Sequence, residues 1–77
     1  SDLIIKIDRN IIENINKDEF KQSVYKALYT VAKENNIEVL AEGIETPYEI
    51  ETIRSIGVDY MQGYYFAKPS AEPIRTI

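Results

Sequence analysis

Three short apolar runs, rich in β-branched residues and ending on charged or amide side chains, divide the chain. The first is Leu3-Ile4-Ile5-Lys6-Ile7-Asp8, and the second is Ile37 to Ala41, which leads directly into Glu42-Gly43-Ile44-Glu45. The third is Val58 to Gln62, closed by Gly63. Short apolar runs bounded by turn residues read as buried strands of the parallel kind. Between the first two runs lies a polar stretch. It is followed by Phe20, Val24, Ala27, Leu28 and Val31 at helical spacing, which predicts one buried helix face. Lys17, Lys21, Lys26 and Lys33 fall elsewhere and read as a solvated face. Asn16 with Glu19 three residues on matches a capping box, with Asp18 as the alternative N-cap. Asn35-Asn36, residues that tolerate left-handed backbone, mark the helix end.

A second helix has clearer punctuation. Thr46-Pro47-Tyr48-Glu49 supplies an N-cap threonine, a proline at the first helical position and a glutamate at the third. Ile50 and Ile53 follow at helical spacing, and Gly57 closes the helix. The order is therefore strand-helix-strand-helix-strand with short connections, an α/β fold with parallel strands and right-handed crossovers.

Each predicted strand carries its polar side chain at the carboxyl end: Lys6 and Asp8, then Glu42, then Gln62. Active sites of parallel α/β folds are built at such ends. Strand alternation places Lys6 and Asp8 on a face with Ile4, while Leu3, Ile5 and Ile7 share the face that should pack on helices. From geometry alone these polar residues read either as solvated loop charges or as parts of a site.

Composition narrows the chemistry. The 77 residues, 44% hydrophobic and 29% charged, have the make-up of an ordinary globular chain. Nine basic and thirteen acidic side chains give a net charge of -4 without a basic cluster, which argues against binding a nucleic acid polymer. With neither histidine nor cysteine, any chemistry falls to carboxylates, lysine or a metal held by oxygen ligands. No apolar run approaches the roughly 20 residues of a membrane span, so a cytoplasmic location without direct membrane contact is expected for this piece.

Three colinear segments carry a resemblance. Lys6-Ile7-Asp8-Arg9, Ala41-Glu42-Gly43-Ile44-Glu45-Thr46 and Gln62-Gly63-Tyr64-Tyr65-Phe66-Ala67-Lys68-Pro69 resemble, in order and spacing, the KID(R), AEGVET and QGYYFSKP motifs of EAL domains. Ile44 for valine and Ala67 for serine are mild departures, and Ile56-Gly57-Val58-Asp59 resembles the family's approach to its last strand.

The resemblance implies a TIM-like (β/α)8 barrel that hydrolyses cyclic-di-GMP to the linear dinucleotide with two Mg²⁺ or Mn²⁺ ions. Residues 1–77 would be the C-terminal part of that domain, about its last three strands. By motif, Lys6 would contact the attacking water and Asp8 would support the same strand end. Glu42 would act as base or metal ligand beside the water, Glu45 would order a neighbouring loop, and Gln62 would reach the second metal site or its water. The Glu-Ala-Leu and Asp-Asp-Phe-Gly motifs and the upstream Asn and Glu ligands are absent from the 77 residues. The chain alone is therefore expected to be inactive. The alternative is a piece of a catalytically inert domain that senses cyclic-di-GMP or binds a protein. Tyr64, Tyr65 and Phe66 read as core packing ahead of base stacking. Tyr25 and Tyr29, one helical turn apart, read as packing or interface residues. An open three-stranded slice leaves strand edges and apolar surface uncovered, so a homo-oligomer is expected, with contacts at strand edges or the side of Ile4, Leu40 and Tyr60.

Overall fold

In the computed structural model, which describes residues 3–63, each predicted strand forms and all three join one parallel sheet in the order β1-β2-β3. β1 is Ile4–Ile7, β2 Glu38–Glu42 and β3 Tyr60–Gln62. In register, Ile4 faces Glu38 and Ile7 faces Ala41 across the first pair, while Leu40 faces Tyr60 and Glu42 faces Gln62 across the second. The third strand is shorter than the apolar run from Val58 predicts, because Asp59 is used for a tie across the sheet. Its main-chain N–H donates to Val39 O at 3.1 Å, and its carboxylate accepts from the Val39 N–H at 2.8 Å.

The stretch between β1 and the long helix contains structure that its polar composition concealed. Helix α1 (Arg9–Ile12) and a 3-10 turn (Ile15–Lys17) occupy it, and both Ile12 and Ile15 are fully buried. Helix α2 spans Glu19–Glu34 and helix α3 spans Pro47–Ile56. Asp18 is the N-cap of α2, its carboxylate accepting from the Lys21 N–H at 3.1 Å, so of the two caps read from the sequence this one forms. α2 ends at Asn35, followed by Asn36 at φ 57°. The complete capping box predicted at Thr46 and Glu49 is present, with Pro47 in the first turn.

The predicted inner face of α2 is corrected. Phe20 is 76% exposed and Val31 53%, whereas Tyr25 and Ala32 are completely buried. Of the predicted stripe Leu28 packs against the core, whereas Phe20, Ala27 and Val31 are exposed, so the buried face is centred on Tyr25 and Ala32 instead. The chosen face is more polar because its residues find partners: Tyr25 Oη donates to Gly57 O at 2.8 Å, and Gln22 Nε2 donates to Ile15 O at 2.8 Å. Tyr29 packs beside the core, in keeping with a packing role for both tyrosines.

Below the helices lies one core, in which Ile7, Val39, Ala41 and Met61 meet Ile12, Ile15, Ile44, Ile50 and Ile53. The other sheet face carries Ile4, Lys6, Leu40, Glu42, Tyr60 and Gln62 by strand alternation, and each is exposed or half-buried. This matches the division between helix-packed and open faces read from β1 for Ile5 and Ile7, whereas Leu3, ahead of the strand, is 63% exposed. Among the described residues no helix is long and apolar enough to cross a membrane.

At the amino ends of the strands the polar groups bond to one another. Lys33 Nζ lies 2.6 Å from the Asp59 carboxylate and 5.5 Å from the Tyr29 ring centroid, and Tyr60 Oη donates to Glu38 at 2.9 Å. The bond to Asp59 raises the Lys33 ammonium above its ordinary value, and the bond to Glu38 raises the Tyr60 phenol. Burial pushes the Tyr25 phenol well up, with Tyr29 and Asp59 adding to it.

Candidate functional site

Because the three strands are parallel and adjacent, their carboxyl ends converge on one edge of the sheet. Glu42 is the last residue of β2 and Gln62 the last of β3, directly opposite in register and both half-buried. Lys6, one position before the end of β1, pairs with Leu40 on the same open face and is exposed. Among the described residues, no hydrogen bond or ion pair engages the side chains of Lys6, Glu42 or Gln62. A cation, a carboxylate and an amide are therefore presented together without a partner among the described residues. Asp8 differs: it is the N-cap of α1, its carboxylate accepting from the Asn10 N–H at 2.9 Å, so it shapes the turn leaving β1.

The turn after Glu42 is held from both sides. Arg9 Nη1 donates to Gly43 O, and the Ile44 N–H donates to Gln62 O at 3.2 Å. Gly43 has φ +77°, and a Cβ there would stand 2.7 Å from Arg9 Cβ, so this position needs glycine both for its backbone and for the close approach of Arg9. A Cβ on Gly63 would collide with the main chain of Ile44.

Behind this turn sits a carboxylate that sequence reasoning recognised only as a cap. Glu49 is 2% exposed, and its Oε2 accepts from the Asn14 N–H at 3.0 Å. Its Oε1 accepts from the N–H groups of Glu45 at 3.0 Å and Thr46 at 3.3 Å, and lies 3.7 Å from Arg9 Nη1. Arg9 Nη2 also pairs with the half-exposed Glu45 at 3.0 Å. Arg9 was visible in the first motif without a role, and the Glu49–Asn14 bond joins segments 35 residues apart, beyond the reach of any local pattern.

The metal reading is limited by the donor set. Among the described residues no three or more Asp, Glu, His or Cys side chains gather where they could hold an ion. Glu42 is a single carboxylate, and a divalent ion of the Mg²⁺ type takes about six oxygen ligands. The described residues alone do not fit a metal site. Tyr64, Tyr65 and Phe66, with the rest of the third motif, lie outside the described residues. A surface groove lined by Glu19, Gln22, Ser23, Lys26 and Ile56 belongs to the helical layer and includes none of the strand-end residues.

A parallel sheet with this strand-end set defines a class that the comparisons make specific. The EAL domain model matches residues 2–69, and the chain belongs to the EAL family. It is 38% identical over 65 residues to the probable cyclic di-GMP phosphodiesterase PdeN of Escherichia coli (strain K12), a match covering 84% of this chain and 12% of that protein. In structure it is similar to a standalone versatile EAL protein from Vibrio cholerae O395 in its c-di-GMP-bound form. That likeness has a TM-score of 0.82 at 41% identity and covers 95% of this chain and 31% of that one. Klebsiella pneumoniae BlrP1, in calcium and manganese complexes with cyclic diGMP, is similar with a TM-score of 0.80 at 30% identity over 82% of this chain and 16% of that one. The chain thus spans about an eighth of PdeN and under a third of the solved EAL proteins.

Proposed function

We propose that residues 1–77 are the C-terminal strands of an EAL barrel and supply the Lys6–Glu42–Gln62 side of a site that hydrolyses cyclic-di-GMP to the linear dinucleotide. The observation that carries this reading is the convergence on one end of the sheet of these three side chains, which no bond engages among the described residues, in a chain similar to named cyclic di-GMP phosphodiesterases. Supporting it, the Vibrio and Klebsiella proteins were solved with the dinucleotide bound.

In this reading a water oxygen attacks phosphorus, the bond from phosphorus to the bridging ester oxygen breaks, and that oxygen leaves as an alkoxide that takes a proton from solvent water to become a hydroxyl. Glu42 accepts the water's proton. Lys6 orients the water and offsets negative charge as it builds on the phosphoryl oxygens. Gln62, opposite Glu42, holds the water or its neighbour through its amide. Divalent ions like those of the BlrP1 complexes would need oxygen ligands beyond Glu42. The isolated chain is accordingly expected to be inactive.

The test joins residues 3–63 to the remaining strands of the Vibrio EAL protein in place of its own matching segment. The hybrid should release linear dinucleotide, Glu42→Gln should lower turnover by at least about a hundredfold, and the 77-residue chain alone should release none. Binding of cyclic-di-GMP without turnover in a folded hybrid would overturn the enzyme reading in favour of a sensor.

A further inference from the structure

We propose that Arg9 and Glu49 are positioning residues that act as a latch and set the direction in which Glu42 leaves its strand. Glu42 ends β2, and the peptide after it must leave with fixed geometry if the carboxylate is to be held in place. The Gly43 carbonyl is gripped by the guanidinium of Arg9, the first residue of α1. That guanidinium is held in turn by Glu45 on its solvent side, at 3.0 Å, and by Glu49 on its buried side, at 3.7 Å.

Glu49 is itself fixed by the amides of Asn14, Glu45 and Thr46, so it cannot swing away without orphaning donors in two loops. It joins the turn after α1 to the turn after β2. Through Arg9, both are referenced to the carbonyl next to Glu42. The Glu45 pair is half-exposed and screened by solvent, so it contributes little, while the Glu49 contacts lie in the interior where lost partners are costly. Neither Arg9 nor Glu49 lies on the open sheet face, so neither would touch substrate. Both would work through the placement of Glu42.

The positioning role rests on the phosphodiesterase reading, whereas the latch itself does not, and the test separates them. Amide hydrogen exchange is measured on the 77-residue chain for wild type, Arg9→Lys, Arg9→Ala and Glu49→Gln. The latch predicts about tenfold faster exchange at Ile44, Glu45 and Thr46 in Arg9→Ala and Glu49→Gln, an intermediate change in Arg9→Lys, and unchanged protection at Val39 and Ala41. Uniform change at all these amides, or none, would overturn it.

The same substitutions in the hybrid barrel give a second measurement that does not depend on the short chain being folded. There kcat should fall roughly tenfold to a hundredfold with KM little changed, and Arg9→Lys should recover part of the loss. Unchanged kcat, or losses in kcat that track the fall in Tm, would refute the positioning role. A hybrid without activity whose exchange changes remain confined to Ile44–Thr46 would sink the phosphodiesterase reading and leave the latch standing.

Discussion

The two ends of the sheet use polar side chains in opposite ways. At the amino ends, Lys33, Asp59, Glu38 and Tyr60 bond to one another and to the Val39 main chain, and Tyr25 is buried behind them with its hydroxyl on Gly57. At the carboxyl ends, Arg9, Glu45 and Glu49 tie the loops together, but the side chains of Lys6, Glu42 and Gln62 take part in no hydrogen bond or ion pair among the described residues. A protein that strengthened every strand end would pair these three as well. The end that holds the fold and the end that offers chemistry are thus separated along strands only three to five residues long.

Substitutions can break this division, beginning with the largest effect. Lys6→Ala in the hybrid barrel should lower turnover by about a hundredfold or more while leaving Tm within a degree or two, since the side chain is exposed and makes no bond among the described residues. A matching loss of stability would show that Lys6 has a structural task. Asp59→Ala at the opposite end should cost about 2 kcal/mol, because it strands the buried Val39 N–H and frees Lys33. Denaturant unfolding measures this, and a cost near zero would mean that the amino-end tie is idle. Tyr25→Phe removes one buried hydroxyl bond and should cost about 1 kcal/mol by the same assay.

Alkaline titration sharpens the contrast. Lys33, Tyr60 and Tyr25 all hold their protons more tightly in the folded chain than in the unfolded one. Their contribution is complete below about pH 10, where the unfolded groups begin to titrate, and is lost as pH rises through the higher folded values. Melting temperature followed upward from pH 9 should therefore fall, and should fall less in Tyr25→Phe. A flat profile would contradict the bonding described at the amino ends. The smallest effect belongs to Phe20→Ala on the exposed side of α2, expected to change stability by less than about 0.5 kcal/mol. A large loss would restore the helix face that the sequence pattern favoured.

Much of this was legible beforehand, for identifiable reasons. β-Branched runs and local punctuation such as Asp18, Thr46-Pro47 and Gly57 act within a turn of chain, so strands, caps and the parallel order could be read directly. The choice of buried face on α2 could not, because it depends on where the Tyr25 hydroxyl and the Gln22 amide find carbonyls in distant segments. Helix α1 was hidden for a related reason: Ile12 and Ile15 are too few to form a periodic pattern amid polar neighbours. At the site, Glu42 and Gln62 stood out as polar endings to apolar runs. The latch of Arg9 and Glu49 did not, since it is made by contacts across some 35 to 40 residues.

The most direct test sets one residue from each end side by side. In the hybrid barrel, turnover of cyclic-di-GMP and thermal unfolding are recorded for Glu42→Gln and Asp59→Ala under one set of conditions, at a temperature where both are folded. Glu42→Gln should lose at least about a hundredfold in turnover with its Tm unchanged, and Asp59→Ala should lose several degrees of Tm with turnover near that of the parent. Equal losses of both quantities in the two variants, or an active Glu42→Gln, would contradict the assignment of stability to one end of the sheet and chemistry to the other.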